Sequence, residues 1–454
     1  MENLEIQRLL QDKDFDKIAQ LDLHPSDWAE IIQNLADEEQ VLFFSYLAQD
    51  HRLEVFPYLD FDLRKNLLQQ LKKSDVQHIL NHLESDDRTD FLENLPSFVS
   101  AKYIDWLEPD KKSEAQTLLG YQENSIGRLM STTYISLFDD KSIEQAISYI
   151  RKNGFDNDNL NLIYIIDRQG KLLGEVHLRK LLLVPVHQKI HDLLETCHAQ
   201  VQATADQEAC IQAFKQYDDR ISIPVLNEEN QLLGIVTVDD VLHASEEENT
   251  EDIQKFGGLE ALDFPYQSTS ILELVRKRAG WLILLFFSEM LTTTAMGHYE
   301  EEIQKAVMLS FFVPLIISSG GNSGSQAATL IIRALALGEI QLSSWWQVFR
   351  RELFSGALLG LVLGLIGFGR IAIGSLVFGQ YSEHWFLIAC TICFSLIGVV
   401  VWGTITGAML PFFLKKMGLD PATSSAPFVA TLSDVTGLII YFTIASLVLG
   451  GTLI

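Results

Sequence analysis

Between Ile271 and the C-terminus, this 454-residue chain is dominated by five apolar segments. They lie at about 271–298, 306–335, 352–378, 385–414 and 423–453. Each meets the roughly 20 residues needed to cross a hydrocarbon core of about 30 Å. Backbone polar groups find no water there, so such segments must satisfy their own hydrogen bonds as helices. The C-terminal half is therefore expected to be an all-α membrane domain with five transmembrane helices.

Charge divides the chain at the same place. The whole sequence has 60 acidic and 34 basic residues and a net charge of −26. Ten of each sign fall after residue 270, so the entire excess sits on the N-terminal part. Such a field repels nucleic acid and anionic headgroups and attracts cations. The first residues, "MENLEIQRLLQDKDF", have neither the basic start nor the apolar core of a signal peptide. Cys197, Cys210, Cys390 and Cys393 show no disulfide framework, and "CTIC" at 390–393 lies in an apolar run.

Basic residues alternate between the connecting loops. Arg276, Lys277 and Arg278 precede the first span; Arg333, Arg350 and Arg351 join the second to the third; Lys415 and Lys416 follow the fourth. The opposite loops, "HYEEEIQK" and "GQYSEHW", hold only Lys305. The positive-inside rule places the N-terminal half in the cytoplasm and the C-terminus outside, as expected of a multi-pass inner-membrane protein.

In the acidic half, Leu35, Leu47, Leu59, Leu71, Leu83 and Leu95 recur every 12 residues, each closing a unit such as "EQVLFFSYL" or "DVQHILNHL". Helices of two turns do not stand alone. Stacked neighbours must bury each other's leucines, giving an all-α superhelical domain over residues 1–122. Ser74 and Ser85 are candidate N-caps. Residues 123–243 then carry helix–strand–turn–strand–helix twice, with "NLIYIID…LLGEVHLRKLL" followed by "ISIPVLN…LLGIVTVDDVL". The second copy, "IPVLNEENQLLGIVTVDDVL", resembles a CBS domain, and the two copies together resemble an α/β tandem CBS pair. Such pairs often bind adenine nucleotides. Thr237 and Asp240 stand where the nucleotide motif would be in the second copy, whereas the first has Arg179 and Lys180. ATP is thus a candidate ligand, and a structural Asp near a helix N-terminus is the alternative. Residues 244–270 begin with an acidic run ending in Gly257 and Gly258.

Two features mark the membrane half. In "ATLSDVTGLIIYF", Asp434 stands within an apolar run. A carboxylate at mid-bilayer costs roughly 2.5 kcal/mol or more. Asp434 either serves an ion path or acts as the surface N-cap of a helix over residues 435–454. Glu289 is a second acid of the spans, and Arg370 reads as a snorkelling base. In "FFVPLIISSGGNSGSQAATLII", Pro314, Gly320, Gly321 and Gly324 should interrupt the helix and expose carbonyls beside Asn322, Ser323 and Gln326. The alternative is close helix packing through small residues. One buried carboxylate per chain is thin ligation, so a homodimer sharing its path at an axis is expected. Mg²⁺ keeps its waters and suits one or two carboxylates. No nucleophile–base pair, phosphate loop or HExxH pattern suggests an enzyme; His187, His191 and His198 read as surface residues.

In order of parts, and through "VPLIISSGGNSGSQAATLIIRALALGEI" and "GAMLPFFLKKMGLDPATSSAPFVATLSDVTGLIIYF", the chain resembles the MgtE family of magnesium channels and transporters. The resemblance implies a homodimer with a helical N domain, a CBS pair, a connecting plug helix (244–270) and a five-helix pore domain (271–454). It implies that Asp434 holds hydrated Mg²⁺, with Asn322 in the adjacent selectivity region. Asp420 would face the plug helix and its regulatory Mg²⁺. Asp90 would bridge to the CBS pair through Mg²⁺, and Asp239 or Asp240, Glu247, Glu251 and Asp252 would fall at the CBS–plug sites. The implied activity is Mg²⁺ import closed by cytosolic Mg²⁺. A membrane-anchored CBS-type nucleotide sensor is the rival, and transport of Mn²⁺, Co²⁺ or Ca²⁺ a third alternative.

Overall fold

The structure, a computed structural model, describes residues 23–154, 160–262, 269–379 and 384–452, together with Lys17, Leu21 and Tyr266. The N-terminal "MENLEIQRLLQDKDF" and residues 380–383 of the "GQYSEHW" loop lie outside the described residues. The chain divides into two units, residues 1–246 and 247–454.

Among the described residues the first unit begins with short helices: α1 (Pro25–Gln33), α2 (Asp37–Tyr46), α3 (Gln49–Val55), α4 (Phe61–Gln70), α5 (Lys73–His82), α6 (Ser85–Glu93), α7 (Ser97–Ile104) and α8 (Pro109–Leu118). The 12-residue leucines stand just after helix ends: Leu47, Leu71 and Leu83 are the C-caps of α2, α4 and α5. Leu47, Leu59, Leu83 and Leu95 are buried with Trp28, Phe43, Phe44, Phe56 and Phe91 in one core, so each helix is stabilised by its neighbours and not by its own length. Neither serine expected to cap a helix does so. Lys72 and Glu84 are the N-caps of α5 and α6, without side-chain capping bonds. Ser85 instead turns its Oγ to accept from the backbone N–H of Thr132 at 2.8 Å, a tertiary use that outcompetes local capping.

After α9 (Ile126–Leu129), the two expected copies follow. The first comprises β1 (Ser136–Phe138), α10 (Ile143–Asn153), β2 (Leu162–Ile166), β3 (Leu172–His177) and α11 (Leu178–Leu183). The second comprises β4 (Val201–Gln202), α12 (Gln207–Gln216), β5 (Ser222–Leu226), β6 (Leu232–Thr237) and α13 (Val238–Phe256). In each copy the first strand runs parallel to the second, which pairs antiparallel with the third. The registers correspond: Leu162 faces His177 and Ser222 faces Thr237, each ladder with one irregularity near its far end. Ser142 and Gln145 form a capping box that starts α10, and Asp206 caps α12. The last helix of the second copy does not stop at residue 243. It continues as one helix to Phe256, and the division between the two units falls inside it.

Gly257 and Gly258 end α13, Gly258 at φ +76°, a conformation that favours glycine. The second unit then contains α14 (Ile271–His298), α15 (Glu300–Lys305), α16 (Val307–Ser310), α17 (Val313–Ala336), α18 (Trp345–Phe378), α19 (Trp385–Lys416) and α20 (Ala426–Leu449). Among the described residues five helical segments are long and apolar enough to cross a membrane: Ile271–His298, Val307–Ala336, Leu342–Phe378, Trp385–Lys416 and Ala426–Leu449. Arg370, on α18, is exposed.

The second span is interrupted at Phe311–Phe312, between α16 and α17, and not at its glycines: α17 is continuous for 24 residues. Pro314 sits in its first turn, where the missing N–H costs nothing. The glycines serve the alternative role, close packing. A methyl group added at Gly324 would stand 2.9 Å from the Gly403 carbonyl oxygen and 2.9 Å from Val429, and one at Gly320 would strike Val399 at 2.5 Å. Gly403 and Gly407 of α19 return the contact against the Gly320 and Gly324 carbonyls. Two helix backbones thus touch along a seam that any side chain would open.

Candidate functional site

Asp434 lies inside α20, whose N-cap is Ser425, nine residues earlier. The reading of Asp434 as a cap is therefore corrected: Ser425 Oγ accepts from Phe428 N–H at 3.3 Å, and the helix is two turns old before the aspartate is reached. The carboxylate is half-buried against α17, where a methyl group added at Gly321 would stand 3.7 Å from Asp434 Oδ1. The glycine leaves room for that oxygen. Asn322, the next residue of α17, is exposed and donates from Nδ2 to Ser318 Oγ at 3.3 Å. Asp434 and Asn322 are thus brought to one helix pair. Buried hydroxyls of Ser323 and Ser433 nearby have no hydrogen-bond partner.

A second set of acids gathers where the end of α13 meets the loop before α20. Asp420 caps the short turn Pro421–Thr423, its Oδ1 accepting from Ala422 N–H at 2.8 Å. Its Oδ2 lies 2.8 Å from Lys255 Nζ, which also lies 2.6 Å from Glu251 Oε1. Burial, then the nearby Asp420 and Glu248 charges, pushes the Asp252 carboxyl up to about 6. Glu247 lies on the exposed side of the same helix. Of the expected residues, Asp420, Glu251 and Asp252 therefore come together. The i,i+4 spacing of Glu251 and Lys255 was the available signal for Lys255, which sequence reasoning passed over.

The third set belongs to the first unit. Asp240 accepts at Oδ2 from the Thr237 backbone N–H at 3.0 Å and from its hydroxyl, and it hydrogen-bonds with Asp86. Burial, and then the Asp240 charge, holds the Asp86 carboxyl well above its ordinary range. Burial also pushes Asp87 up to about 6, partly offset by Arg64, with Asp240, Asp90 and Asp239 adding to the rise. Asp239 is exposed in the first turn of α13. Asp90 is paired with Arg64 at 3.2 Å and joins this group through Asp87. Asp86 and Asp87 stand closer to Asp240 in effect than Asp90 does, although all three occur in the same "SDDRTD" segment. Among the described residues no three His, Cys, Asp or Glu side chains already form a ready metal cage.

Thr237 and Asp240, the expected nucleotide motif, are thus engaged with each other and with Asp86. An open cleft of about 600 Å³ lies between the two copies and is lined by Asn161, His177, Arg179, Glu195, His198 and Arg220 among others. Glu175, also in its lining, is 1% exposed and is held by Arg220 at 2.5 Å.

Residues 313–444 match the MgtE family, described as a divalent cation transporter. Residues 23–124 match the MgtE intracellular N domain, and residues 126–187 and 199–247 match the CBS domain. The magnesium transporter MgtE of Thermus thermophilus is 33% identical over 345 residues, which are 76% of this chain and 74% of that protein. The chain belongs to the MgtE family. The magnesium transporter MgtE of Bacillus subtilis is 28% identical over 94% of this chain and 92% of its own length. Among solved structures, the cytosolic domain of the Mg²⁺ channel MgtE in complex with ATP is 27% identical, with a TM-score of 0.49, covering 52% of this chain and 97% of that one. As an MgtE protein, the chain combines a soluble N-terminal unit with five helices able to span a membrane, the architecture expected from its sequence.

Proposed function

We propose that this chain is a magnesium channel or transporter that imports Mg²⁺ through a homodimeric pore in the inner membrane. Its parts are an N domain (1–122), a CBS pair (123–243), a plug segment (244–270) and a pore domain (271–454). The N-terminal domains are cytoplasmic and the C-terminus outside. The observation that carries this proposal is Asp434 in the middle of an apolar helix, its carboxylate facing Gly321 on a neighbouring small-residue helix. A passive anchor gains nothing from such an acid. A hydrated Mg²⁺, which gives up its waters reluctantly, suits one carboxylate from each of two chains, with Asn322 adjacent. Both curated relatives above are named magnesium transporters.

Regulation follows from the other two acidic sets. Asp86, Asp87 and Asp240 are half-buried acids raised above their ordinary range, so the compact arrangement costs free energy until a proton or cation neutralises it. Mg²⁺ at these acids, with Asp90 and Asp239 alongside, favours that arrangement. Mg²⁺ at Glu251, Asp252 and Asp420, with Glu247 on the same helix, holds the plug segment against the start of α20. Closure requires that Mg²⁺ bind the compact state more tightly than the open one. ATP bound at Thr237 and Asp240 would have to displace the Asp86 contact.

The test is Mg²⁺ uptake into liposomes by the purified chain, with Mn²⁺, Co²⁺ and Ca²⁺ as competitors. Saturable uptake that prefers Mg²⁺ and declines as Mg²⁺ rises on the side of the soluble unit is expected. No uptake, or uptake indifferent to that Mg²⁺, would refute the proposal.

A further inference from the structure

We propose that Glu289 is a second carboxylate of the ion path, standing level with Asp434 so that a hydrated divalent cation meets two acids of one chain. This rests on the reading of Asp434 as a residue of the conduction route.

Three observations meet here. The first is the register of α14 against α20. The Trp281 ring lies 6.4 Å from that of Phe428 below, and Tyr299 stacks on Phe442 at 5.0 Å above. The lower partners are 147 residues apart in sequence and the upper ones 143. Between two helices that rise together at ~1.5 Å per residue, the level partner of Asp434 is the residue 145 earlier, which is Glu289. In keeping with this, the Glu289 carboxylate is near enough to bear electrostatically on Asp434.

The second concerns Thr292, one turn beyond Glu289 and on the same side of the helix. It is 6% exposed, the only buried residue of α14, and its hydroxyl has no partner. Threonines in apolar helices usually return their hydroxyl to the preceding turn. Thr294, Thr431 and Thr436 do so, donating to Met290 O, Pro427 O and Leu432 O at 3.1, 2.9 and 2.8 Å. Thr292 does not, so an enclosed hydroxyl beside the two acids is left for a water of the ion's shell.

The third is the exposure of Glu289 itself. Within the single chain it projects from a sparsely packed helix, and the nearest lysine or arginine of that helix, Arg278, is 11 positions away. A bare carboxylate turned to lipid at that depth would be costly. An aqueous ion path removes the cost.

The experiment uses the full chain in liposomes, comparing wild type, Asp434→Asn, Glu289→Gln, Glu289→Asp and Thr292→Val. It reads Mg²⁺ influx against external Mg²⁺, and block by cobalt(III) hexaammine, an inert mimic of hydrated Mg²⁺. Glu289→Gln is expected to raise the half-saturating Mg²⁺ and weaken the block, both by about tenfold, from the loss of one charge near a divalent ion. Glu289→Asp should recover most of both, and Thr292→Val should shift half-saturation in the same direction by a smaller factor. If Asp434→Asn abolishes influx while Glu289→Gln leaves both values within about twofold, Glu289 is not on the path and the reading of Asp434 stands. If Asp434→Asn conducts normally, that reading fails and this one with it. Should Glu289→Gln not elute as a folded protein, Glu289→Asp decides: a shifted half-saturation supports the proposal and an unshifted one overturns it.

Discussion

Lys255 Nζ lies 2.8 Å from Asp420 Oδ2, joining the last turn of α13 to the turn that precedes α20. The same ammonium lies 2.6 Å from Glu251. A covalently attached cation therefore already occupies part of the acidic group expected to hold regulatory Mg²⁺, and in the proposed regulation it favours the docked position of the plug segment.

Replacing that cation should loosen the dock when Mg²⁺ is scarce. The pair is about one-third exposed, so it is worth on the order of 1 kcal/mol. Lys255→Met should raise Mg²⁺ flux at zero cytosolic Mg²⁺ by about fivefold. It should also steepen closure by added Mg²⁺, because three uncompensated carboxylates remain. Single-channel or flux titrations from the cytosolic side measure both; unchanged basal flux would show that the contact carries no bias.

The half-buried acids of the first unit predict a pH effect whose sign is fixed. Asp86, Asp87 and Asp240 have carboxyls raised above their ordinary range, Asp87 to about 6. A raised carboxyl stabilises the compact arrangement below its ordinary value, and that contribution is lost as pH rises through the folded-state value. In Mg²⁺-free buffer, protection of the soluble unit from proteolysis should therefore fall as pH rises from 5.5 to 7.5, by about tenfold. Millimolar Mg²⁺ should restore it at pH 7.5, and Asp86→Asn with Asp240→Asn should weaken both dependences, leaving the part due to Asp87.

Glu175 and Arg220 predict a different kind of loss. The carboxylate is nearly inaccessible and the guanidinium is its counterion. Arg220→Ala leaves a buried charge unpaired and should destabilise the first unit by about 3 kcal/mol. Arg220→Ala combined with Glu175→Gln should recover most of that. Thermal unfolding of the single and double variants checks it.

The seam between α17 and α19 predicts strict size limits. Gly324→Leu and Gly407→Val should abolish a monodisperse elution peak in detergent, because backbone atoms stand where the side chain would go. Gly369→Ala, with open space around its added methyl, should elute as wild type.

Much of this architecture was legible in the sequence because its signals are periodic or compositional. The 12-residue leucines mark helix ends, the doubled strand–turn–strand pattern became two matching three-stranded sheets, and five apolar runs became five long helices. What misled was local propensity. Pro314 and the glycines of α17 look like breakers, yet a helix tolerates proline in its first turn and glycine where another backbone must approach. Ser85 looks like a cap but is drawn away by Thr132, 47 residues on. The acidic groups were only half visible. Asp420, Glu251 and Asp252 stood out by charge and resemblance, whereas the partners that decide their chemistry, Lys255 and the Asp86–Asp240 pair, depend on which helix faces which.

The most direct test is Mg²⁺ influx into liposomes by folded Asp434→Asn protein beside wild type. Asparagine keeps the volume and removes one unit of countercharge a few ångströms from a divalent ion, so influx should fall by about a hundredfold or more. Undiminished, Mg²⁺-selective influx through Asp434→Asn would contradict the account, since the ion would then be crossing without the carboxylate on which the path is built.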